Sequence, residues 1–172
     1  METNNTVVAL SEDQVIMLRL LEYWKEVHPE IEVHRVVKGF LEMLQGYEKE
    51  PEEVAKQFTV QGTQGILIEH RGIQFTSLCP HHALPFFGLV DVAYKVSSNK
   101  VLGLSKVKRV VDIMSKRFAY QERLTSDLKS FFDKNLGTIS TVRVTATHTC
   151  MRCRGITHDY KVTTKEGEHV FI

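Results

Sequence analysis

The densest chemistry in this 172-residue sequence is the run Cys79-Pro80-His81-His82. A cysteine three positions before a histidine, on a stretch broken by Pro80 and Pro85, lets a thiolate and an imidazole converge on one Zn²⁺. Two donors cannot fill a tetrahedral site, so a third must come from far along the chain. The candidates are His148 and Cys150, which share one face if the segment around them is a regular strand. Three protein ligands leave the fourth position to water, which is the catalytic arrangement and not the structural one.

A second constellation lies in Gly103-Leu104-Ser105-Lys106-Val107-Lys108-Arg109. Ser105 reads as a helix N-cap, and Lys106 and Arg109 then lie three apart on one helix face. A helix start carrying Lys and Arg suits a phosphate, although a solvated basic face has the same composition. Glu122, followed by Arg123, opens another helix, where a carboxylate suits the helix dipole and could equally accept from the N–H edge of a guanine. Cys150-Met151-Arg152-Cys153 lacks the strand-to-helix setting of a redox pair. Alternation sends Cys153 to the opposite face as a small apolar filler, and Arg152 and Arg154 to the face of His148 and Cys150.

Helices and strands must position these residues. Ser11 and Gln14 form a capping-box pattern for a helix ending before Pro29, with Ile16, Leu20, Tyr23 and Val27 as its apolar stripe. A second helix runs from about His34 to Gln45 and stops at Gly46. An acidic connector follows, with a short helix after Pro51. Residues 65–78 read as strand broken at Arg71-Gly72, and residues 86–96 as a second strand ahead of a turn at Ser97-Ser98-Asn99-Lys100. Helices are expected over 105–117 and 122–136, the latter closed by Gly137. A strand should run from Thr138 to about Arg154, and a hairpin turn at Lys165-Glu166-Gly167-Glu168 should close a last strand pair. This order gives an α+β class with an antiparallel sheet. The division expected is an N-terminal helical segment, 1–58, and a catalytic domain, 59–172.

Composition sets outer limits. With 42% hydrophobic and 25% charged residues the chain can build an ordinary core. A net charge of +1 offers no footprint for nucleic acid. No signal peptide or membrane span is read, and three cysteines do not make a disulfide framework, so the compartment expected is cytoplasmic.

Taken in order, SLCPHHALPFFGLVDVAY, VLGLSKVKRVV, QERLT and HTCMRCRGI, with an upstream HRVVKGFLEMLQGY, resemble the GTP cyclohydrolase I family over roughly residues 31–157. The resemblance implies a T-fold subunit, an antiparallel sheet backed by helices, in a homo-oligomer of two stacked pentamers with sites between subunits. It implies Cys79, His82 and Cys150 as zinc ligands, and His81 and His148 as proton carriers. Gln121 and Glu122 would hold guanine, and Arg35, Ser105, Lys106, Arg109 and Arg154 the triphosphate. The implied reaction takes GTP and water to 7,8-dihydroneopterin triphosphate and formate. A hydrolase that stops at the opened formamide, or a non-catalytic T-fold protein binding pterin or nucleotide, are the alternatives. Three features depart from the family pattern. Pro80 replaces a usual Glu, Val33-His34 replaces a common Thr-Pro helix start, and the chain ends at Ile172, short of the C-terminal helix many members carry.

Overall fold

A computed structural model describes residues 12–171. The chain divides into two compact units, the first ending at Leu41 and the second beginning at Glu42.

In the first unit, α1 (Glu12–Val27) ends ahead of Pro29, and α2 (Val33–Met43) begins there and runs past the division. Ile31 N–H donates to the His28 carbonyl at 3.0 Å and shapes the link between the helices. Among the described residues of α1 Leu21 is buried, whereas the expected stripe of Ile16, Leu20, Tyr23 and Val27 is exposed. An apolar groove of about 340 Å³ lies between Leu20, Leu21 and Trp24 of α1 and Val36, Val37 and Phe40 of α2. The capping-box residues Ser11 and Gln14 fall outside the residues whose side chains are described.

The second unit is built on a four-stranded antiparallel sheet ordered β2-β3-β5-β6, from β2 (Leu67–Leu78), β3 (Pro85–Lys95), β5 (Ser140–His148) and β6 (Val162–Glu166). A small ribbon pairs β1 (Gln57–Thr59) with β4 (Lys100–Leu102). Helices α3 (Leu104–Ser115) and α4 (Gln121–Leu136) back the sheet. Their buried Val107, Val110, Val111, Leu124, Leu128 and Phe132 share one core with Phe86, Val90, Val92, Tyr94, Val142, Val144 and Ala146. Phe87 and Leu89 alternate onto the other face and are about 40% exposed.

Register is fixed by close approach. A Cβ on Gly88 would lie 2.0 Å from the Thr145 carbonyl oxygen, so only glycine lets β3 run this close to β5. The expected break at Arg71-Gly72 is a bulge between His70 and Ile73. Gly72 N–H there donates to Asp91 Oδ1 at 2.8 Å, while Asp91 Oδ2 accepts from Arg143 Nε at 2.8 Å. The Arg143 guanidinium also lies 4.7 Å from the centre of the Phe171 ring, and His169 Nε2 meets Glu69 Oε1 at 2.6 Å. These contacts hold the C-terminal segment against the sheet.

Three expectations change. The strand expected through Arg154 ends at His148, and Thr149–Arg152 form one helical turn, α5. Thr149 Oγ1 donates to the Pro85 carbonyl at 2.6 Å, and Cys153 N–H donates to the Thr149 carbonyl at 2.8 Å, which together bend the chain out of the sheet. Alternation therefore stops before Cys150, and Cys153 is exposed instead of filling a core. The N-cap of α3 is Gly103, with Ser105 already inside the helix. Finally, Gly167 turns the chain out of β6 into a short segment without strand pairing, and β6 finds its partner in β5 across a long connection. Among the described residues no helix is long and apolar enough to cross a membrane.

Candidate functional site

The chemistry gathers at one end of the sheet, where β2 leaves for β3 and β5 leaves for α5. Leu78 N–H donates to the Arg117 carbonyl at 3.2 Å, and its own carbonyl accepts from Ala119 N–H at 3.0 Å. The turn after it closes on itself. Cys79 N–H donates to the Leu84 carbonyl at 2.9 Å, and Ala83 N–H donates back to the Cys79 carbonyl at 2.9 Å. Ala83 takes a φ of 53°, an uncommon left-handed value for a residue with a side chain. Pro80 suits the early part of such a turn, because its fixed φ costs nothing there and its missing N–H is not required.

Pairing of Phe86 with His148 carries the end of β5 to this turn. Cys79, His148 and Cys150 then form the group, among the described residues, whose ligand atoms all lie within 4.8 Å of one another. Cys79 is buried, and His148 and Cys150 are partly buried. Two thiols and an imidazole at that spacing suit a borderline-soft divalent ion such as zinc. His82, expected as a ligand with the two cysteines, is exposed and lies outside this group. Its backbone N–H faces the Cys79 carbonyl at 3.4 Å, and its ring centre is 6.2 Å from that of His81. Burial pushes the Cys150 thiol up, the neighbouring Cys79 adds to this, and Arg154 pulls the other way.

His148 is fixed from two sides. Its ring stacks on Phe86 at 4.7 Å between centres and 1° between planes, and its Nε2 lies 2.8 Å from Gln121 Oε1. The Gln121 amide nitrogen donates to the Val144 and Val162 carbonyls and to Thr164 Oγ1, at 3.0–3.2 Å. Those acceptors fix which end of the amide is oxygen, so His148 Nε2 carries the proton and the neutral ring keeps its lone pair on Nδ1. Burial pushes the His148 imidazole below its ordinary value, partly offset by the carboxylate of Glu122.

His81 is exposed, with Nδ1 3.6 Å from Cys79 Sγ and its ring centre 5.1 Å from that of Tyr120. Glu122 is exposed on the first turn of α4, and Arg154 is exposed just beyond α5. Gln121, expected to hold guanine, is 2% exposed and its amide is spent on the sheet and on His148. Phe86 and Tyr120 were missed as site residues. Phe86 looks like ordinary strand core until the register is known, although Tyr120 directly precedes the recognised Gln121-Glu122 pair.

The basic helix start is elsewhere. The α3 C-terminus adjoins the Cys79 turn through Arg117, whereas its N-terminus follows Leu102, whose N–H meets the Tyr94 hydroxyl at 3.3 Å. Tyr94 and Pro85 lie at opposite ends of β3, about 30 Å apart at the usual strand rise. Along α3, at about 1.5 Å per residue, Ser105 and Lys106 lie roughly 17 Å and Arg109 roughly 12 Å from Arg117, so the helix start stands away from the Cys79 turn while Arg109 lies midway. Arg35 belongs to the first unit, where its Nε pairs with Glu32 Oε2 at 2.6 Å.

An antiparallel sheet backed by helices, with thiols and imidazoles collected at one end, defines an α+β protein of the T-fold class. The sequence model for "GTP cyclohydrolase I" matches residues 26–171, and the chain belongs to that family. It is 37% identical over 131 residues to a GTP cyclohydrolase 1 of Rickettsia prowazekii, covering 74% of this chain and 68% of the relative. A Bacteroides fragilis GTP cyclohydrolase 1 is 40% identical over 131 residues, covering 76% and 67%. One from Bacteroides thetaiotaomicron is 39% identical over the same length, covering 76% and 66%.

Proposed function

We propose that this chain is a zinc-dependent hydrolase that opens the imidazole ring of the guanine of GTP, releases formate, and recloses the product to 7,8-dihydroneopterin triphosphate. The observation that carries the reading is the group of Cys79, His148 and Cys150 within 4.8 Å, in a member of this family. When bound, zinc would supply a Lewis acid and make water a competent nucleophile near neutral pH.

Cys79 and Cys150 are proposed as the thiolate ligands, with His82 swinging in from the exposed side of its turn as the third. His148 then remains with Gln121 and Phe86 and moves protons through Nδ1, and His81 serves the neighbouring ring nitrogen of the purine. Glu122 accepts from the guanine N–H edge, and Arg154 meets the phosphates beside it. Ser105, Lys106 and Arg109 on α3 serve the triphosphate of a neighbouring subunit's site, as does Arg35. A homo-oligomer, two stacked pentamers by family resemblance, follows from that division, and a cytoplasmic location is part of the same reading.

A second reading of the ligand set gives the third place to His148, because its ring, and not that of His82, lies with both thiols in the described geometry. Zinc content after dialysis separates them: His82→Ala loses zinc under the first reading and His148→Ala under the second. The function is tested by incubating zinc-loaded protein with GTP while following formate and dihydropterin absorbance. Both should appear together. Formate without pterin would point to a hydrolase that stops at the opened formamide, and no formate from zinc-loaded protein would overturn the enzyme reading. In the first ligand reading, His148→Ala lowers kcat on the order of a hundredfold while zinc is retained.

A further inference from the structure

Three consecutive residues at the start of α4 face the two histidines of the site. Glu122 bears electrostatically on His148, Gln121 holds His148 by a 2.8 Å hydrogen bond, and Tyr120 meets His81, ring centre to ring centre, at 5.1 Å with 58° between planes. Tyr120 is extended, with φ −77° and ψ 143°, and its carbonyl accepts the Leu124 N–H at 2.9 Å, so its backbone is set by the first turn of the helix. Gln121 beside it is buried and hydrogen-bonded to two strands, and this anchors the helix start to the sheet.

His81 has no comparable anchor of its own. It is exposed, on a turn whose hydrogen bonds are made by the backbone of Cys79, His82 and Ala83, and its own contacts are Cys79 Sγ on one side and rings on the other. The preceding residue is Pro80, which lines the same cavity of about 170 Å³ as Tyr120, Phe118 and Ala119. Proline there supplies neither an N–H nor a carboxylate to steady the neighbouring imidazole. A tilted aromatic contact is directional and adds to the Cys79 Sγ contact in favouring one orientation of the imidazole.

We propose that Tyr120 is a positioning residue for the ring-opening reaction. Its aromatic ring, not its hydroxyl, holds the His81 imidazole in its working orientation, and the start of α4 thereby places both proton-handling histidines. This rests on the function proposed above, so the test includes an arm that does not need activity.

The experiment compares zinc-loaded wild type with Tyr120→Phe and Tyr120→Ala, and adds Tyr120→Leu, of similar bulk without an aromatic face, in case Ala does not fold. Formate release from GTP is measured across substrate concentration, and the His81 ring resonances are followed by NMR in ¹³C-histidine protein, assigned by their loss in His81→Gln. Expected is a kcat lowered about tenfold in Ala or Leu, with KM within about twofold, and near wild-type values in Phe. The His81 resonances should shift in Ala or Leu, through loss of the ring current, and stay in Phe. Unchanged kcat in folded, zinc-loaded Ala or Leu overturns the proposal, as does an equal loss in Phe, or His81 resonances that do not move. Wild type that releases no formate overturns the function reading instead and leaves the resonances to decide the contact.

Discussion

Gln121 has two amide hydrogens and one amide oxygen, and all are engaged: the hydrogens are shared among two backbone carbonyls and a threonine hydroxyl, and the oxygen meets His148. Replacing it by Met keeps the bulk, leaves buried acceptors unmatched and frees His148. A cost of about 1–3 kcal/mol is expected from the unmatched groups, read as a lower urea midpoint at unchanged slope. The chemical step should fall further than folding alone explains, with kcat down at least tenfold in the fraction that remains folded. Cys79 and His148 stand out in the sequence by residue type, but the spacing argument paired Cys79 with His82, which lies outside the group of Cys79, His148 and Cys150, and alternation left His148 and Cys150 as equal candidates. Gln121 was assigned to guanine by the family resemblance alone, and its burial was not legible because it depends on the pairing of β5 with β6, whose Val144 and Val162 carbonyls take its amide. Cys150 was placed on the right side by an argument that does not hold: the chain turns helical at Thr149, and α5 brings the thiol back towards Cys79.

Among elements, the joint between α4 and β5 carries the sheet strand that ends at the site. Gly137 closes the helix at a φ of 60°, and Asp133 of the last turn accepts from Lys129 Nζ at 2.5 Å, Ser140 N–H at 2.7 Å and Ser140 Oγ at 2.6 Å. Burial alone would push the Asp133 carboxyl up, but the hydrogen bonds from Lys129 and Ser140 outweigh it and hold it below its ordinary value of 3.8. A carboxylate depressed in the folded chain stabilises it above that ordinary value, and the stabilisation is lost as pH falls towards the lower folded value. Thermal unfolding followed from pH 6 down to 2 should therefore show a steeper acid loss in wild type than in Asp133→Asn, which starts lower and is flatter. Most elements were legible for related reasons: Gly137, the break at Arg71-Gly72, the prolines around the Cys79 turn and the helical periodicity of α3 and α4 are local signals. The end of β5 was not, because its apolar alternation runs into His148 and Cys150 without a turn residue. The bend is made by a hydrogen bond to Pro85, which is 64 positions away.

At the scale of the molecule, the proposed site is divided. Thiols, imidazoles and Glu122 collect at one end of the sheet, whereas Ser105 and Lys106 sit in the first turn of α3 and Arg109 midway along it. Two inactive variants, Cys79→Ser and Lys106→Ala, should restore part of the activity when co-unfolded and refolded together, because some interfaces then combine an intact thiol end with an intact basic end. Mixed protein no more active than either parent would count against a site shared between subunits. The overall class was legible from the order of helices and strands, whereas a site shared between subunits came from the family resemblance alone and from nothing in composition or periodicity.

That division has a consequence for regulation by amount. A chain with the whole site in itself works in proportion to its concentration. Under the sharing proposed above, a chain works in proportion to the fraction that has found a neighbour. Below the dissociation constant of the assembly, activity rises with a power of concentration greater than one. Synthesis of the chain then acts as a threshold and not as a dial.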